Sequence, residues 1–530
     1  NPNHTLKITN WVHVNGGSLT FENTASLVQI NNVSNTNSGN ILYERETTKI
    51  TKMDYTYWAT PVSPFTLGGV SPNTAGDKMY SYDYSIDDWK QESPATSMIP
   101  GIGYIIRGPQ NYVPPMPPST YKAPFVGVPN NGHYEITGVI PDRSYLLGNP
   151  YPSALDADSF LVANKDVLNG TLYFWTHNTP IAVETPDPGS GLYAYSGNDY
   201  AAYNATGGVG AAPPDIDPDT GLPYSGQAPS SIPPFTGLNY NIPSGKIASG
   251  QGFFASSKVP PIGNKIIFDN TMRVGVIDIS KEDNSQFFKT KNPNPKTAIA
   301  IEKHRIWLDL INAQGAFKQT LVGYVTDATN DYEGRFDGES YDGNDFLDFY
   351  TILKDKNLTI QGRALPFDDN DEIPLGYRVA IGGTFSVVID QTDGLLSNQP
   401  VFIEDKLTNT LFDLKGGKYT FSTAAGTFDD RFVLRYKDKT LSTEEPEVAD
   451  GIVVLYSNNY KTLIIRNNVK EATVNLVTLY NMVGQKIAYW DVKGREQSSI
   501  QIPIKNLPSE IYIVKVKTTK GESSKKIIIK

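Results

Sequence analysis

The chain has 530 residues, a net charge of −10, no cysteine, five histidines, 45 glycines, 37 prolines and 31 tyrosines. The missing thiols exclude thiolate metal sites, iron–sulfur clusters, cysteine nucleophiles and a disulfide framework, and the length is ample for cores that need no such staple. His4, His13, His133, His177 and His304 are too scattered for a paired-histidine metal motif, and no apolar run approaches the roughly 18–20 residues of a membrane-spanning helix.

The opening Asn1-Pro2-Asn3 has neither the basic nor the apolar stretch of a signal peptide, so the chain is expected to be a mature product or a piece of something longer. Abundant Tyr, Thr, Asn, Gly and Pro, with few helix-forming runs, predict an all-β, loop-rich, secreted protein. Residues 1–49 open it. Short apolar pieces at Leu6-Lys7-Ile8, Trp11-Val12-His13-Val14, Leu19-Thr20-Phe21 and Leu27-Val28-Gln29-Ile30 recur every seven or eight residues with Asn and Gly between them. That spacing fits the end of a β-solenoid, in which each rung buries its face on a neighbour, or an ordinary meander.

Residues 50–290 contain a duplication. Asp54-Tyr55-Thr56-Tyr57-Trp58 running into Pro61 and Pro64 is matched by Asp142 to Gly148 running into Pro150 and Pro152. Met79-Tyr80-Ser81-Tyr82 is matched by Leu172-Tyr173-Phe174-Trp175, and Gly101-Ile102-Gly103 by Gly250-Gln251-Gly252. The second copy carries a long Pro-, Gly- and Tyr-rich insert at 178–245, expected as a surface excursion. Alternating runs in residues 291–437, such as Thr384-Phe385-Ser386-Val387-Val388-Ile389, predict a β-sandwich. Residues 438–450 are charged and aperiodic, a linker. Residues 451–530 predict a smaller, Ig-like sandwich of about seven strands. They carry 13 Lys and Arg against 5 Asp and Glu, a net +8, which leaves −18 on residues 1–450. The acidic body disfavours nucleic acid and anionic membranes as partners. In Val514-Lys515-Val516-Lys517 the lysines alternate with apolar residues, the pattern of a solvated sheet face rather than a nucleic-acid patch.

Few segments carry chemistry. Gly101-x-Gly103 lacks the third glycine of a dinucleotide fingerprint, position 106 being Ile, and reads instead as glycine turning the chain into a buried strand. Asp215, Asp217 and Asp219 have the alternating spacing of a calcium loop, without the usual closing Glu, and serve equally as a Pro-rich acidic loop. Within 327–348, Asp337, Glu339, Asp342 and Asp345 belong to a dense set of carboxylates whose repulsion Ca2+ would relieve; the alternative is a solvated loop with Arg335 as internal partner. Tyr55, Tyr57, Trp58, Trp89 and Trp175 fit a sugar-stacking platform or, more simply, sandwich core. No nucleophile elbow, Walker loop or zinc motif occurs, and no catalytic or cofactor-binding residues are assigned.

Three motifs in order define the end of the chain: Leu479-Tyr480-Asn481-Met482-Val483-Gly484-Gln485, Asn506-Leu507-Pro508-Ser509-Glu510-Ile511-Tyr512 leading into Lys515 and Lys517, and Gly521 to Lys530 with Lys525 and Lys526. This 80-residue segment resembles the sorting domain of Bacteroidota proteins exported by the type IX secretion system, with Glu510 where that family usually has glycine. The body resembles regions of large flavobacterial surface proteins and adhesins at Leu147 to Ala154, Gly170 to Asn178, Phe336-Asp337-Gly338 and Phe428 to Tyr436.

The resemblance implies passage through the periplasm and across the outer membrane, with the folded sorting domain read by the outer-membrane translocon and its β-barrel shuttle. Gly484, Tyr512, Lys515, Lys517, Lys525, Lys526 and Lys530 are the signal residues it points to, and surface lipopolysaccharide or polysaccharide is a further partner. The expected protein is a non-enzymatic cell-surface adhesin or display protein, related to gliding motility or colonisation. The alternative is a polysaccharide-binding or carbohydrate-degrading exoprotein whose catalytic part lies upstream.

Overall fold

The computed structural model describes residues 4–33, 36–112, 119–176, 182–183, 193–194, 199–211, 242–259, 261–274, 301–313, 316–340, 347–438, 451–458, 460–469, 471–493, 499–504 and 507–529. Most of the insert at 178–245 and of the linker at 438–450 therefore lies outside them. The architecture is all-β, and the chain divides into two compact units, Asn1–Tyr436 and Lys437–Lys530. The expected divisions at 49/50 and 290/291 fall inside the first unit.

The N-terminal spacing becomes two stacked coils. Strands β1 (Thr5–Ile8), β2 (Thr20–Phe21), β3 (Ser26–Gln29) and β4 (Ile41–Ile50) follow in order. β1 lies parallel to β3 with Thr5 beside Ser26, and β2 lies parallel to β4 with Thr20 beside Leu42. Between them His13 bridges Ser38 in the same sense. Each residue of the first coil thus meets one about twenty positions later, and three short edges per turn produce the seven-to-eight-residue rhythm. Amides join the coils: Asn31 Nδ2 donates to Asn10 Oδ1 at 2.6 Å, and Gln29 Nε2 donates to the Asn10 carbonyl at 2.7 Å. Phe21, Leu27 and Tyr43 run from the coils into a core shared with Trp58, Val62 and Phe125.

The duplication is structural as well as sequential. In the first copy Tyr55–Trp58 pairs with Tyr104–Arg107, which pairs with Met79–Asp83, which pairs with Asp88–Gln91. In the second copy Ser144–Gly148 pairs with Gly252–Ser257, then Leu168–Trp175, then Tyr200–Tyr203. Each copy thus places its glycine-led strand between its first and second strands. The copies exchange reciprocal bridges, Trp58 with Gln251 and Ile102 with Leu147. Glycine is required at these crossings. Gly101 and Gly250 have φ of +89° and +71°, and a Cβ on Gly103 would lie 2.5 Å from the Leu147 carbonyl oxygen. Because that obstacle is backbone, Gly103→Ala is expected to destabilise the first unit by about 1–3 kcal/mol, measured by chemical denaturation; an unchanged midpoint would contradict this contact.

Residues 303–435 form one long sheet path that curls on itself. Its order is Thr410–Asp413, Phe402–Asp405, Gly426–Arg435, Glu372–Val379, Leu347–Leu353, Lys356–Ala364, Phe317–Val325, Lys303–Ile311, Gly383–Thr392 and Tyr419–Thr423. Only Phe317–Val325 and Lys356–Ala364 run parallel along it. Residues near the two ends share one core: Ile403, Tyr419, Phe421 and Phe432 pack with Leu308, Leu310 and Phe349. Inside that core Arg431 pairs bidentately with the fully buried Asp405, which also accepts from the Tyr419 hydroxyl at 2.9 Å.

Candidate functional site

In the second unit, alternation dictates the layers. Ile511-Tyr512-Ile513-Val514-Lys515-Val516-Lys517-Thr518 buries Tyr512, Val514, Val516 and Thr518 and turns its lysines outward. Lys486–Asp491, Val474–Asn481, Ile511–Thr518 and Gly521–Ile528 form a four-stranded sheet; Ile452–Ser457, Thr462–Asn467 and Ser499–Pro503 form a three-stranded one. Leu463, Ile465, Ile500 and Ile502 pack with Val477, Leu479, Val514 and Val516 between them, a small sandwich with its own core.

The signal residues suggested by resemblance separate into distinct roles. Tyr512 is core, its hydroxyl donating to the Pro508 carbonyl at 3.2 Å. Gly484 has φ of +80° in the Asn481–Gln485 turn, and nothing lies within 4 Å of where a Cβ would stand. The turn itself is held by Asn481 Oδ1, which accepts from the Val483 and Gln485 amides. Lys515 and Lys517 share Glu522 across the strand pair, Lys526 is exposed and Lys525 half-buried. Lys530 lies outside the described residues. Glu510 needs no positive φ, and its carbonyl accepts from the Ile529 amide at 3.1 Å, so glycine is dispensable there. On the outer face of the four-stranded sheet, Lys515, Lys517 and Lys526 accompany the exposed Tyr489, Ile511 and Ile528. Its terminal strand Gly521–Ile528 pairs on one side only among the described residues.

Of the candidate calcium ligands, Asp337 and Glu339 lie among the described residues. Asp215, Asp217, Asp219, Asp342 and Asp345 lie outside the described residues. Asp337 is buried, its two carboxylate oxygens accepting from the Glu333 amide at 2.6 Å and the Gly362 amide at 2.9 Å. Burial pushes its carboxyl up to about 6. Glu339 pairs with Lys356 at 2.6 Å and Asp331 with Lys354 at 2.7 Å. These lysines come from the following hairpin, and the Arg335 guanidinium stands 4.9 Å over the Phe336 ring. Among the described residues no group of three or more His, Asp or Glu converges as metal ligands would.

The aromatics are mostly interior. Tyr57 stacks on Trp175 at 5.6 Å, and both are buried with Tyr55 and Tyr80 where the duplicated sheets meet. Trp58 packs on Phe125 in the neighbouring core. Trp89, Tyr82 and Phe254 are half-buried at the margin of the first cluster. A cavity of about 20 Å³ beside Tyr173, Tyr200, Lys318 and Gln319 has room for one or two waters, against roughly 300 Å³ or more for a small-molecule site.

One constellation escaped sequence reasoning. Asp309 is buried mid-strand among Ile306, Leu308 and Leu310, and Gln319 Nε2 donates to it at 2.8 Å and to Asp390 at 3.1 Å. Burial, then the Asp390 charge, pushes the Asp309 carboxyl well above the usual carboxylate range, and burial raises Asp390. The visible signal was an acid at the centre of Trp307-Leu308-Asp309-Leu310. Because the folded state holds this proton more tightly than the unfolded chain, the stabilising contribution is complete below about pH 4 and declines as pH rises through the folded value. Asp309→Asn removes the proton dependence and keeps an acceptor for Gln319. It is expected to be more stable than the parent at pH 8 by about 1–2 kcal/mol, with the gap closing near pH 4. Parallel Tm–pH curves for the two proteins would contradict the assignment.

Comparison with known proteins follows the two-unit division. Residues 458–530 match the family described as "Secretion system C-terminal sorting domain". No curated protein matches the chain. Among solved structures, "Biofilm associated protein - BSP domain" aligns at 7% identity over 92% of this chain and 95% of that chain, with a TM-score of 0.13, too low to support a shared fold. The sorting domain makes the protein a cargo of type IX secretion, exported to the cell surface or extracellular space. No helix among the described residues is long and apolar enough to cross a membrane. Residues 1–436 match the family described as "Domain of unknown function (DUF8693)", and the chain belongs to that family.

Proposed function

We propose that the body, residues 1–436, is a non-enzymatic adhesive or display module of a flavobacterial cell surface, serving colonisation or gliding, and that residues 451–530 are the label by which it is exported. The observation that carries the first part is the burial of Tyr55, Tyr57, Tyr80 and Trp175 where two sheets meet, which makes the aromatic strands framework rather than a sugar-binding groove. The second part is supported by the separate core of the end module and by a sheet face that sets Lys515, Lys517 and Lys526 among exposed apolar side chains. Beside an edge strand, such a face suits a receptor that adds backbone hydrogen bonds to charge. The β-barrel shuttle of the outer-membrane translocon is the proposed reader, and lipopolysaccharide the proposed anchor. At Asp331, Asp337 and Glu339 the carboxylates already have protein partners, which argues against Ca2+ at those three positions.

The test is cellular. Intact cells making the full chain should bind antibody against residues 1–436 and attach to surfaces several-fold better than cells lacking it. Purified body should release no reducing sugar from polysaccharides. Sugar release, or attachment unaffected by loss of the protein, would overturn this reading. The polysaccharide-degrading alternative places catalysis outside this chain, so retention of the body on a glycan column without hydrolysis would favour it.

A further inference from the structure

The two ends of the N-terminal coil stack differ. At the inner end, the second coil is sealed by the body: Asn270 Nδ2 donates to the Asn31 carbonyl at 2.7 Å, the Leu27 amide donates to the Pro152 carbonyl at 2.7 Å, and Arg273 donates to the Leu27 carbonyl. At the outer end no such hydrogen bond to the body is seen among the described residues. β1 pairs with β3 alone among the described residues. Leu6 and Leu27 stand side by side in one column, yet Leu27 is 0% exposed and Leu6 42%; Trp11, on the same coil, is 51% exposed. The amide ladder is open in the same direction. Asn31 donates to Asn10 Oδ1, but Asn10 Nδ2 has no acceptor among the described residues. Between His4 and Phe21 the only formally charged side chain is Lys7, so little opposes close approach.

We propose that this outer end is a docking surface for one further β-coil of the same chemistry. It would be an extended segment of about one repeat that lies parallel on β1, sets an apolar side chain over Leu6 and offers an asparagine side-chain oxygen to Asn10 Nδ2. The argument is continuity: the contact between the first and second coils, Leu6 on Leu27 and Asn10 on Asn31, has the same groups available on its other side. A charged or glycine-led segment without the ladder asparagine does not satisfy both columns.

The experiment uses the full chain with residues 5–25 duplicated in tandem immediately before Thr5, which places the added leucine and asparagine in register with Leu6 and Asn10. Amide hydrogen exchange across Thr5–Ile8 should slow about tenfold or more relative to the parent, and the added segment should resist protease. In a second variant, the added copy's counterpart of Leu6 is changed to Asp, and both gains should be lost while the body keeps its Tm. Unchanged exchange in β1 with rapid cleavage of the added segment would overturn the proposal. So would a parent chain that sediments as a dimer and becomes monomeric on Trp11→Asp, because the surface would then be a seat for a second copy.

Discussion

Removal of residues 451–530 is expected to leave the body folded and trapped in the periplasm. The physical basis is the separation of the cores. The end-module cluster draws on Ile452 to Ile529, and the coil, duplicated-sheet and curled-sheet clusters draw on residues up to Tyr436. Truncation therefore removes no residue of a body core, and the body's denaturation midpoint should be unchanged within error. Fractionation should move the protein almost entirely from the surface and medium into the periplasm. Normal secretion of the truncated chain would defeat the account, and loss of the body's cooperative unfolding would show that the end module is part of its fold.

The second large effect is expected at Arg273. This arginine is fully buried and has no carboxylate partner among the described residues. Its donors go to Ser153 Oγ at 2.9 Å, Asn131 Oδ1 at 3.3 Å, Asn270 Oδ1 at 3.4 Å and the Leu27 carbonyl, with the guanidinium 4.8 Å over the Tyr151 ring. Burial pulls its pKa down to about 10, which still leaves it charged at neutral pH. One side chain thus joins the coils, the segment between the two copies and the second copy. Arg273→Ala leaves several buried acceptors without donors and opens a cavity, and should cost about 3–5 kcal/mol. Urea denaturation of the purified body checks this, and a loss under about 1 kcal/mol would show that the hub is dispensable. The Leu27 and Asn270 contacts place the effect on the coil stack, so exchange in β3 should rise before global unfolding.

How much was legible depended on the range of the interaction. Strand alternation such as Ile511 to Thr518 is local, so the all-β class and the face bearing Lys515 and Lys517 could be read directly. The duplication was visible because each copy repeats an aromatic strand, a tyrosine-rich strand and a glycine pair in the same order. The reciprocal crossing of the copies at Trp58–Gln251 and Ile102–Leu147 was not, because it depends on pairing between residues some 45 to 190 positions apart. The coil spacing at residues 5–30 fitted a solenoid or a meander equally; the parallel pairing of β1 with β3 has solenoid geometry. Polar burial was least legible. Asp309 and Arg273 look ordinary in sequence and become distinctive only when Asp390, Asn131 and Leu27 arrive from distant segments, with Gln319 set opposite Asp309 by the hairpin register. In the acidic loop the number of carboxylates suggested a cation, but Lys354 and Lys356, a few residues downstream, pair with Asp331 and Glu339.

The most direct measurement is to fuse residues 437–530 behind a foreign, stably folded periplasmic reporter and follow it in a strain with an intact type IX system. The reporter should appear outside the cell with native activity, and a companion carrying Val514→Asp in the module's core should stay in the periplasm. A reporter retained despite a folded module, or exported equally well with that core broken, would contradict the claim that the end of this chain is read in its folded form.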